Sequence, residues 1–302
     1  MDYYDPRRRA LRAVRQLLYP RECPFCGRVL GDVRDCPDCA VQLETLRRKP
    51  GIRLDPAQHY ISNLAGAAAP YRYSGCVRRG ILNAKYQGKP WRAVEMGNRL
   101  VQLAFGGELT VQYGELLPQP VPWAAIGYDL IVPVPASGKR RGYNVPELMA
   151  LPLAKAMEVP LAPQALERTR AKRHQAGLPL EQRIANVAGA FRAAQPQQLE
   201  GKRILLVDDV ITTGTTAAAC AQALLHAGAD SVFALAFATV EFGAPPWTPR
   251  LPCAWSSRTP PRVSRLLRVR ACVRWASGAV RRFRPPRCGW KPSRGLRLNN
   301  WR

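Results

Sequence analysis

The 302-residue chain has no run of 18 apolar residues, the length a bilayer-spanning helix needs. Its longest apolar stretches, such as Val232–Val240, reach about half of that. A transmembrane helix is excluded, and no membrane insertion is expected. The first residues are basic (Arg7, Arg8, Arg9, Arg12, Arg15), but only Leu17, Leu18 and Tyr19 follow before Pro20. That is no apolar h-region, so a secretory leader is not expected and a cytoplasmic location is. Histidine is scarce: His59, His174 and His226 are too dispersed to form a metal set. The chain contains no G-x-S-x-G or H-E-x-x-H, so it lacks these hydrolase signatures, and no Walker A loop. No period of 20–50 residues is visible, which excludes a solenoid.

Acidic residues are also few, 21 against 46 basic ones, for a net charge of +25. This imbalance points to nucleic acid, phosphorylated ligands or anionic surfaces as partners. It is uneven. Residues 241–302 hold 15 basic residues and one acid, Glu241, with nine of the 28 prolines and five of the seven tryptophans. They show no sustained helical or strand periodicity. Three readings of this segment stand open: a disordered basic tail, out-of-frame translation of GC-rich DNA, and a dedicated nucleic-acid arm.

Nine cysteines in an expected cytosolic protein argue for metal or scattered thiols rather than disulfides. Cys23-Pro-Phe-Cys26 and Cys36-Pro-Asp-Cys39 are two C-x-x-C units nine residues apart. Zinc takes four thiolates in a tetrahedron, and two tight knuckles supply them. Four protein ligands leave no open position, so the expected Zn²⁺ is structural. Gly27 suits the turn that aims backbone N–H groups at sulfur. The expected division is residues 1–50, a four-cysteine zinc ribbon with a basic helix at 7–18; 60–240, an α/β domain; and 241–302, the tail.

Within 60–240, apolar runs alternate with helical spacing. Ala67–Tyr73 reads as a strand; Val77–Tyr86 and Glu95–Phe105 read as helices; 106–127, rich in Gly and Pro, reads as a loop. Tyr128–Pro135, Arg203–Val207 and Ser231–Val240 read as buried strands, Leu161–Leu166 as a short one. Asn144–Met157 and Thr215–His226 read as helices, the second closed by Gly228. Strands with continuous apolar runs between helices predict a mostly parallel sheet buried on both faces.

The most informative stretch is Ile204-Leu-Leu-Val-Asp208-Asp209-Val210-Ile211-Thr212-Thr213-Gly214-Thr215-Thr216. A buried strand ends in two carboxylates; a Thr/Gly loop then opens a helix. N–H groups and hydroxyls at a helix N-terminus make a phosphate cradle, and Gly214 lets the backbone approach closely. Two acids beside a phosphate would repel it unless they serve another part of the ligand. Ribose hydroxyls meet that need, with the loop holding the 5′-phosphate at the carboxyl end of the strand.

Through all thirteen positions this stretch resembles the phosphoribosyl-pyrophosphate (PRPP) motif of type I phosphoribosyltransferases. Joined to a four-cysteine knuckle, it resembles the ComF family, which is linked to competence and DNA uptake. Tyr71-Arg-Tyr73 with Ile81-Leu-Asn-Ala-Lys85-Tyr86-Gln-Gly88 is similar to that family's Y-x-Y…I-x-x-x-K-[FY]-x-G. Ile131-Val-Pro-Val-Pro135 with Arg141-Gly-Tyr-Asn144 is similar to its V-P-V-P…R-G-[FY]-N, and Gln175, Leu178, Arg183, Asn186 and Phe191 to its Q-x-x-L…R-x-x-N…F. The resemblance runs from about Cys23 to Val240.

The resemblance implies an α/β, type I phosphoribosyltransferase-like fold with a small N-terminal zinc ribbon. It also implies transfer of ribose 5-phosphate from PRPP, with Mg²⁺ bridging pyrophosphate and ribose hydroxyls. Asp208 and Asp209 would hold the ribose, and Val210 to Thr216 the 5′-phosphate. Lys139, Arg140 and Arg141 would neutralise pyrophosphate, and Arg168–Gln175 would form a hood. Arg47, Arg48, Arg78, Arg79, Lys85 and Lys89 are candidates for a DNA-facing surface. Two function classes stand open: an enzyme with an unidentified acceptor, of which a salvage transferase acting on a base is one variant, and a competence factor that binds single-stranded DNA beside other competence proteins.

Overall fold

A computed structural model describes residues 20–112, 114–122, 126–136, 142–169 and 189–241. The basic segment 7–18, Lys139, Arg140, Arg141, residues 170–188 and residues 242–302 lie outside the described residues. So do four of the family-like positions (Gln175, Leu178, Arg183, Asn186) and most of the expected hood.

The sheet is built on two long apolar strands, β8 (Arg203–Ile211) and β9 (Ser231–Thr239), paired in parallel from Arg203↔Ser231 to Ile211↔Thr239. β5 (Leu130–Pro133) pairs with the free side of β8. β1 (Gly66–Ala68) and β2 (Tyr71–Arg72) follow one another along the other side of β9. Every pairing in this sheet is parallel, as continuous apolar runs require. Alternate residues bury opposite faces. Ile204 and Leu206 pack with α5 (Thr215–His226). Leu205 and Val207 pack with α2 (Gly75–Tyr86), α3 (Trp91–Phe105) and α4 (Val145–Met157). The mostly parallel α/β sheet with flanking helices is therefore as expected.

The departures have physical reasons. The expected strand over 67–73 is split, because Ala69 and Pro70 leave the ladder; Pro70 has no N–H to donate. The expected loop 106–127 contains a hairpin, β3 (Leu109–Gln112) and β4 (Glu115–Pro118). Gly114 turns it at φ +68°, Leu109, Leu116 and Leu117 are buried, and the Asn98 amide donates to the Leu116 carbonyl at 2.7 Å. Composition hid the strands because their turn and flanks supply the Gly and Pro. Leu161 makes only an isolated bridge to Ile131; the strand expected there is β6 (Leu166–Arg168), paired antiparallel with β7 (Phe191–Ala193). The second cysteine pair opens a helix that the sequence reading missed, α1 (Pro37–Leu46), with proline at its start and Asp38 in its first turn.

The cysteine knuckle leans on the sheet. Phe25, fully buried, stacks on Phe237 of β9 with ring centroids 6.1 Å apart. The Arg99 guanidinium lies 5.7 Å from the Phe25 ring centroid. Buried Arg21 pairs with Glu95 of α3 at 2.5 Å, and Arg99 reaches Asp35 at 3.1 Å. Glu22 receives Lys89 at 2.8 Å and Arg92 at 3.5 Å. Cys23, Cys36 and Cys39 thus belong to the same apolar cluster as Leu205 and Phe237.

Candidate functional site

The four cysteine sulfurs all lie within 4.8 Å of one another. The first turn closes where Gly27, at φ +83°, donates its N–H to the Cys23 carbonyl at 2.9 Å. N–H groups of Phe25 and Cys26 point at the Cys23 sulfur, and that of Arg28 at Cys26. Burial pushes the Cys23 thiol up to about 11 and moves Cys39 in the same direction, neighbouring thiolates adding to both. A dication at the centre reverses that penalty, because it pairs with the thiolates that burial and mutual repulsion disfavour. The donor set and spacing fit Zn²⁺ in a closed four-sulfur site, and the cluster can bind one ion.

The second site lies at the carboxyl end of β8. The strand continues through both acids to Ile211, so Asp208 and Asp209 lie within the ladder rather than at the start of a loop: Asp208 sits opposite Ala236 and Val210 opposite Ala238. Adjacent strand residues point to opposite faces. The carboxylates accordingly meet different neighbours. Asp209, buried at 6 % exposure, holds the Lys85 ammonium, Nζ–Oδ2 2.5 Å. Asp208 accepts the Asp209 N–H at 2.8 Å. Burial, then the Asp209 charge, push Asp208 up to about 8, against the opposing pull of Lys85 and Arg168.

Beyond Ile211 the chain turns into α5. Gly214 sits before the helix at φ +86°, and no side chain caps the first turn, which leaves its N–H groups available to an anion. A Cβ on Gly214 would lie 2.4 Å from the Tyr60 carbonyl oxygen. Tyr60 in turn donates its N–H to the Thr213 carbonyl at 2.7 Å. Thr213 and Thr215 share a hydroxyl hydrogen bond of 3.1 Å. The strand, both acids and Thr212–Thr216 are therefore in one place, as the spacing implied.

The loop that braces Gly214 is fixed by a histidine to which the sequence reading gave no role. His59, 3 % exposed, lies with Nε2 2.9 Å from Thr239 Oγ1 and 3.2 Å from the Val240 carbonyl. Thr239 donates its only hydroxyl proton to the Ile211 carbonyl at 2.9 Å. On the other side of the ring, Nδ1 lies 3.4 Å from the Asp55 carbonyl oxygen. His59 thereby ties residues 55–60 to the ends of β8 and β9.

The proposed DNA-facing cations are largely committed elsewhere. Lys85 is at Asp209. Arg79 donates to the Phe25 carbonyl at 3.0 Å, and Lys89 pairs with Glu22. Arg48 donates to the carbonyls of Ile52, Ala69 and Arg53 and pairs with Glu241 at 3.2 Å. Arg47 stands 3.9 Å from Glu44, and Arg78 is exposed. The signal that places Lys85 inside was available: it lies four residues after Ile81, on the face that buries Val77, Ile81 and Ala84.

No family model matches the chain. It is 40% identical over 107 residues to the DNA utilization protein YhgH of Escherichia coli K12, covering 34% of this chain and 46% of that one. It is 35% identical over 150 residues to YhgH of Salmonella typhi, covering 49% and 62%. With competence protein F of Haemophilus influenzae it shares 32% identity over 108 residues, covering 34% and 47%. The chain spans about half the length of the curated relatives it matches. Among solved structures, the glutamine PRPP amidotransferase of B. subtilis with ADP and GMP aligns at a TM-score of 0.30 and 23% identity, over 47% of this chain and 25% of that one. The chain is thus similar, over part of its length, to competence protein F and the YhgH proteins.

Proposed function

We propose that this protein binds the ribose 5-phosphate part of PRPP or of a nucleotide, and that it acts in DNA uptake and the handling of single-stranded DNA. The observation that carries the ligand class is the arrangement around Gly214: two carboxylates lie near the carboxyl end of a parallel strand that ends at Ile211, and an uncapped helix begins at Thr215. Acceptors suit the 2′- and 3′-hydroxyls; N–H groups and threonine hydroxyls suit the 5′-phosphate. The DNA role is supported by the names of the relatives and by the +25 charge.

In this reading Asp208 and Asp209 orient the ribose, and Thr212–Thr216 fix the phosphate. Lys139, Arg140 and Arg141, which lie outside the described residues, would neutralise the pyrophosphate. Mg²⁺, when bound, offsets the charge of pyrophosphate and is held mainly by ligand oxygens with few protein ligands. If transfer occurs, the anomeric carbon develops oxocarbenium character as in other glycosyl displacements.

Calorimetry with PRPP·Mg²⁺, then with single-stranded DNA across a salt series, tests both parts. Binding of PRPP or ribose 5-phosphate at micromolar to millimolar concentration is expected, with DNA affinity falling steeply as salt rises. Absence of any ribose-phosphate binding at millimolar concentration removes the ligand assignment; salt-indifferent or absent DNA binding removes the DNA role.

A further inference from the structure

We propose that Lys85 is the positioning residue of the ribose site: it holds Asp209 ionised and oriented through Oδ2, leaving Oδ1 to accept a ribose hydroxyl. The inference rests on the ribose-phosphate reading above. It goes beyond it in assigning to a helix on the far side of the sequence the task of dividing charge between two adjacent acids.

The geometry is specific. The contact is 2.5 Å, and the two side chains are 23 % and 8 % exposed. An ammonium has three donors and a carboxylate four acceptor positions, so this contact leaves capacity on both partners. The helix that delivers Lys85 is fixed at three points. At its start, the Gln42 side chain of α1 accepts the Cys76 N–H at 3.0 Å. Midway, a Cβ on Gly80 would lie 2.6 Å from the Phe25 ring. Near its end, Tyr143 donates its hydroxyl to the Ala84 carbonyl at 2.7 Å. The last turn of α2 therefore has little freedom to withdraw the ammonium.

The charges around the acids come from several elements. Lys85 approaches from α2, Arg168 acts from β6, and Cys220 of α5 feels the Asp208 charge while its own thiol is raised by burial. β9 places Ala236, Ala238 and Thr239 opposite this end of β8, none of them charged. With Lys85 paired to Asp209, and Asp208 raised by burial and by that same neighbour, the acids carry about one negative charge near neutral pH, and Lys85 balances it. A phosphate-bearing ligand then meets no net repulsion from the acids. Without Lys85, the pair must keep its one charge buried and uncompensated, and it gains a proton at higher pH.

The test measures affinity for ribose 5-phosphate and for inorganic phosphate side by side between pH 5.5 and 8.5, and takes their ratio. Inorganic phosphate occupies the cradle only, so the ratio isolates the ribose contacts. Dividing each variant's ratio by the wild-type ratio at the same pH removes the different second ionisations of the two phosphates. In Lys85→Met this normalised ratio should fall by about tenfold at pH 6, the loss expected for one hydrogen bond to a charged group, and recover toward pH 8.5. Lys85→Arg, which keeps the cation, should give a flat profile. Adding Lys85→Met to Asp209→Asn should cost little beyond Asp209→Asn alone. A Lys85→Met ratio identical to wild type at every pH, or losses that add in the double variant, would overturn the assignment. If wild type itself binds ribose 5-phosphate no better than phosphate, the ribose reading has failed, and the variants are then not needed to decide.

Discussion

The four-cysteine knuckle and the Asp208–Thr216 turn are both short motifs whose donors run in sequence order, yet they are held in opposite ways. The knuckle is held by side chains from far along the chain: Glu95 on Arg21, Arg99 on Asp35, Phe237 on Phe25. The turn is held mostly by backbone: the Tyr60 N–H on the Thr213 carbonyl, and the Tyr60 carbonyl against Gly214. A motif anchored by buried side chains shares the fate of the core. One anchored by backbone keeps its path when its ligand groups are changed. The contrast gives an order of expected effects.

The largest concerns the metal. Removing Zn²⁺ with a chelator, or Cys36→Ser, should lower the melting temperature of the whole of residues 20–241 in a single transition. Phe25 sits in the sheet's own cluster, and exposing a buried phenylalanine alone costs ~3–5 kcal/mol. At ~2–4 °C per kcal/mol for a domain of this size, a fall of about 10 °C or more is expected in scanning calorimetry. Two resolved transitions, with the second at the wild-type temperature, would show that the knuckle unfolds alone and that the sheet stands without it.

Next comes the acid pair. Asp208→Asn with Asp209→Asn keeps the shape and removes the charged acceptors. Hydrogen bonds to charged groups are worth ~1.5–3 kcal/mol each. With Asp209 as the charged acceptor and Asp208 adding a neutral hydrogen bond of ~0.5–1.5 kcal/mol, affinity for PRPP·Mg²⁺ should fall by roughly one to three orders of magnitude. The melting temperature should fall too, because Asp209→Asn leaves the Lys85 ammonium without its partner. Equal affinity in the double variant would mean that the acids do not meet the ligand.

Gly214→Ala bridges the two kinds of support, because it acts on backbone alone. It must adopt φ +86° and place a methyl 2.4 Å from the Tyr60 oxygen. Strain and displacement together should cost about 2–3 kcal/mol and loosen phosphate binding by tenfold or more. Unchanged melting and binding would mean that the 55–60 loop moves aside freely, against the His59 anchor seen here.

The same contrast explains what was legible in the sequence. Motifs with local spacing could be read: both cysteine pairs, the strand–turn–helix around Asp208–Thr216, and helices such as Thr215–His226. Their chemistry depends on neighbours in sequence. The supports could not be read, because each is a contact between distant segments. Glu95 lies 74 residues from Arg21, and Thr239 lies 180 from His59. Lys85 was misplaced for a related reason. A lysine looks like a surface residue until its position on the buried face of α2 is weighed above its charge. The 109–118 hairpin was lost because the turn residues outnumber its few buried leucines.

The smallest expected effect is on stability against pH, and Asp208 carries it. Its pKa is raised in the folded protein to about 8, first by burial and then by Asp209, while in the unfolded chain an aspartate titrates near ~3.9. Between these values the folded state binds the extra proton, so stability is fully present below pH 4 and is lost as pH rises through 8. Carboxylates held low by arginines, Asp35, Asp129 and Glu241, titrate below pH 5 and leave this window alone. Glu147 is also raised by burial, so the comparison is between wild type and Asp208→Asn rather than with pH alone. From pH 6.5 to 8.5 the wild-type melting temperature should drop relative to the Asn variant by about 5 °C, corresponding to ~2 kcal/mol. Parallel curves would show that Asp208 is ionised at neutral pH, and that Lys85 then balances two charges instead of one.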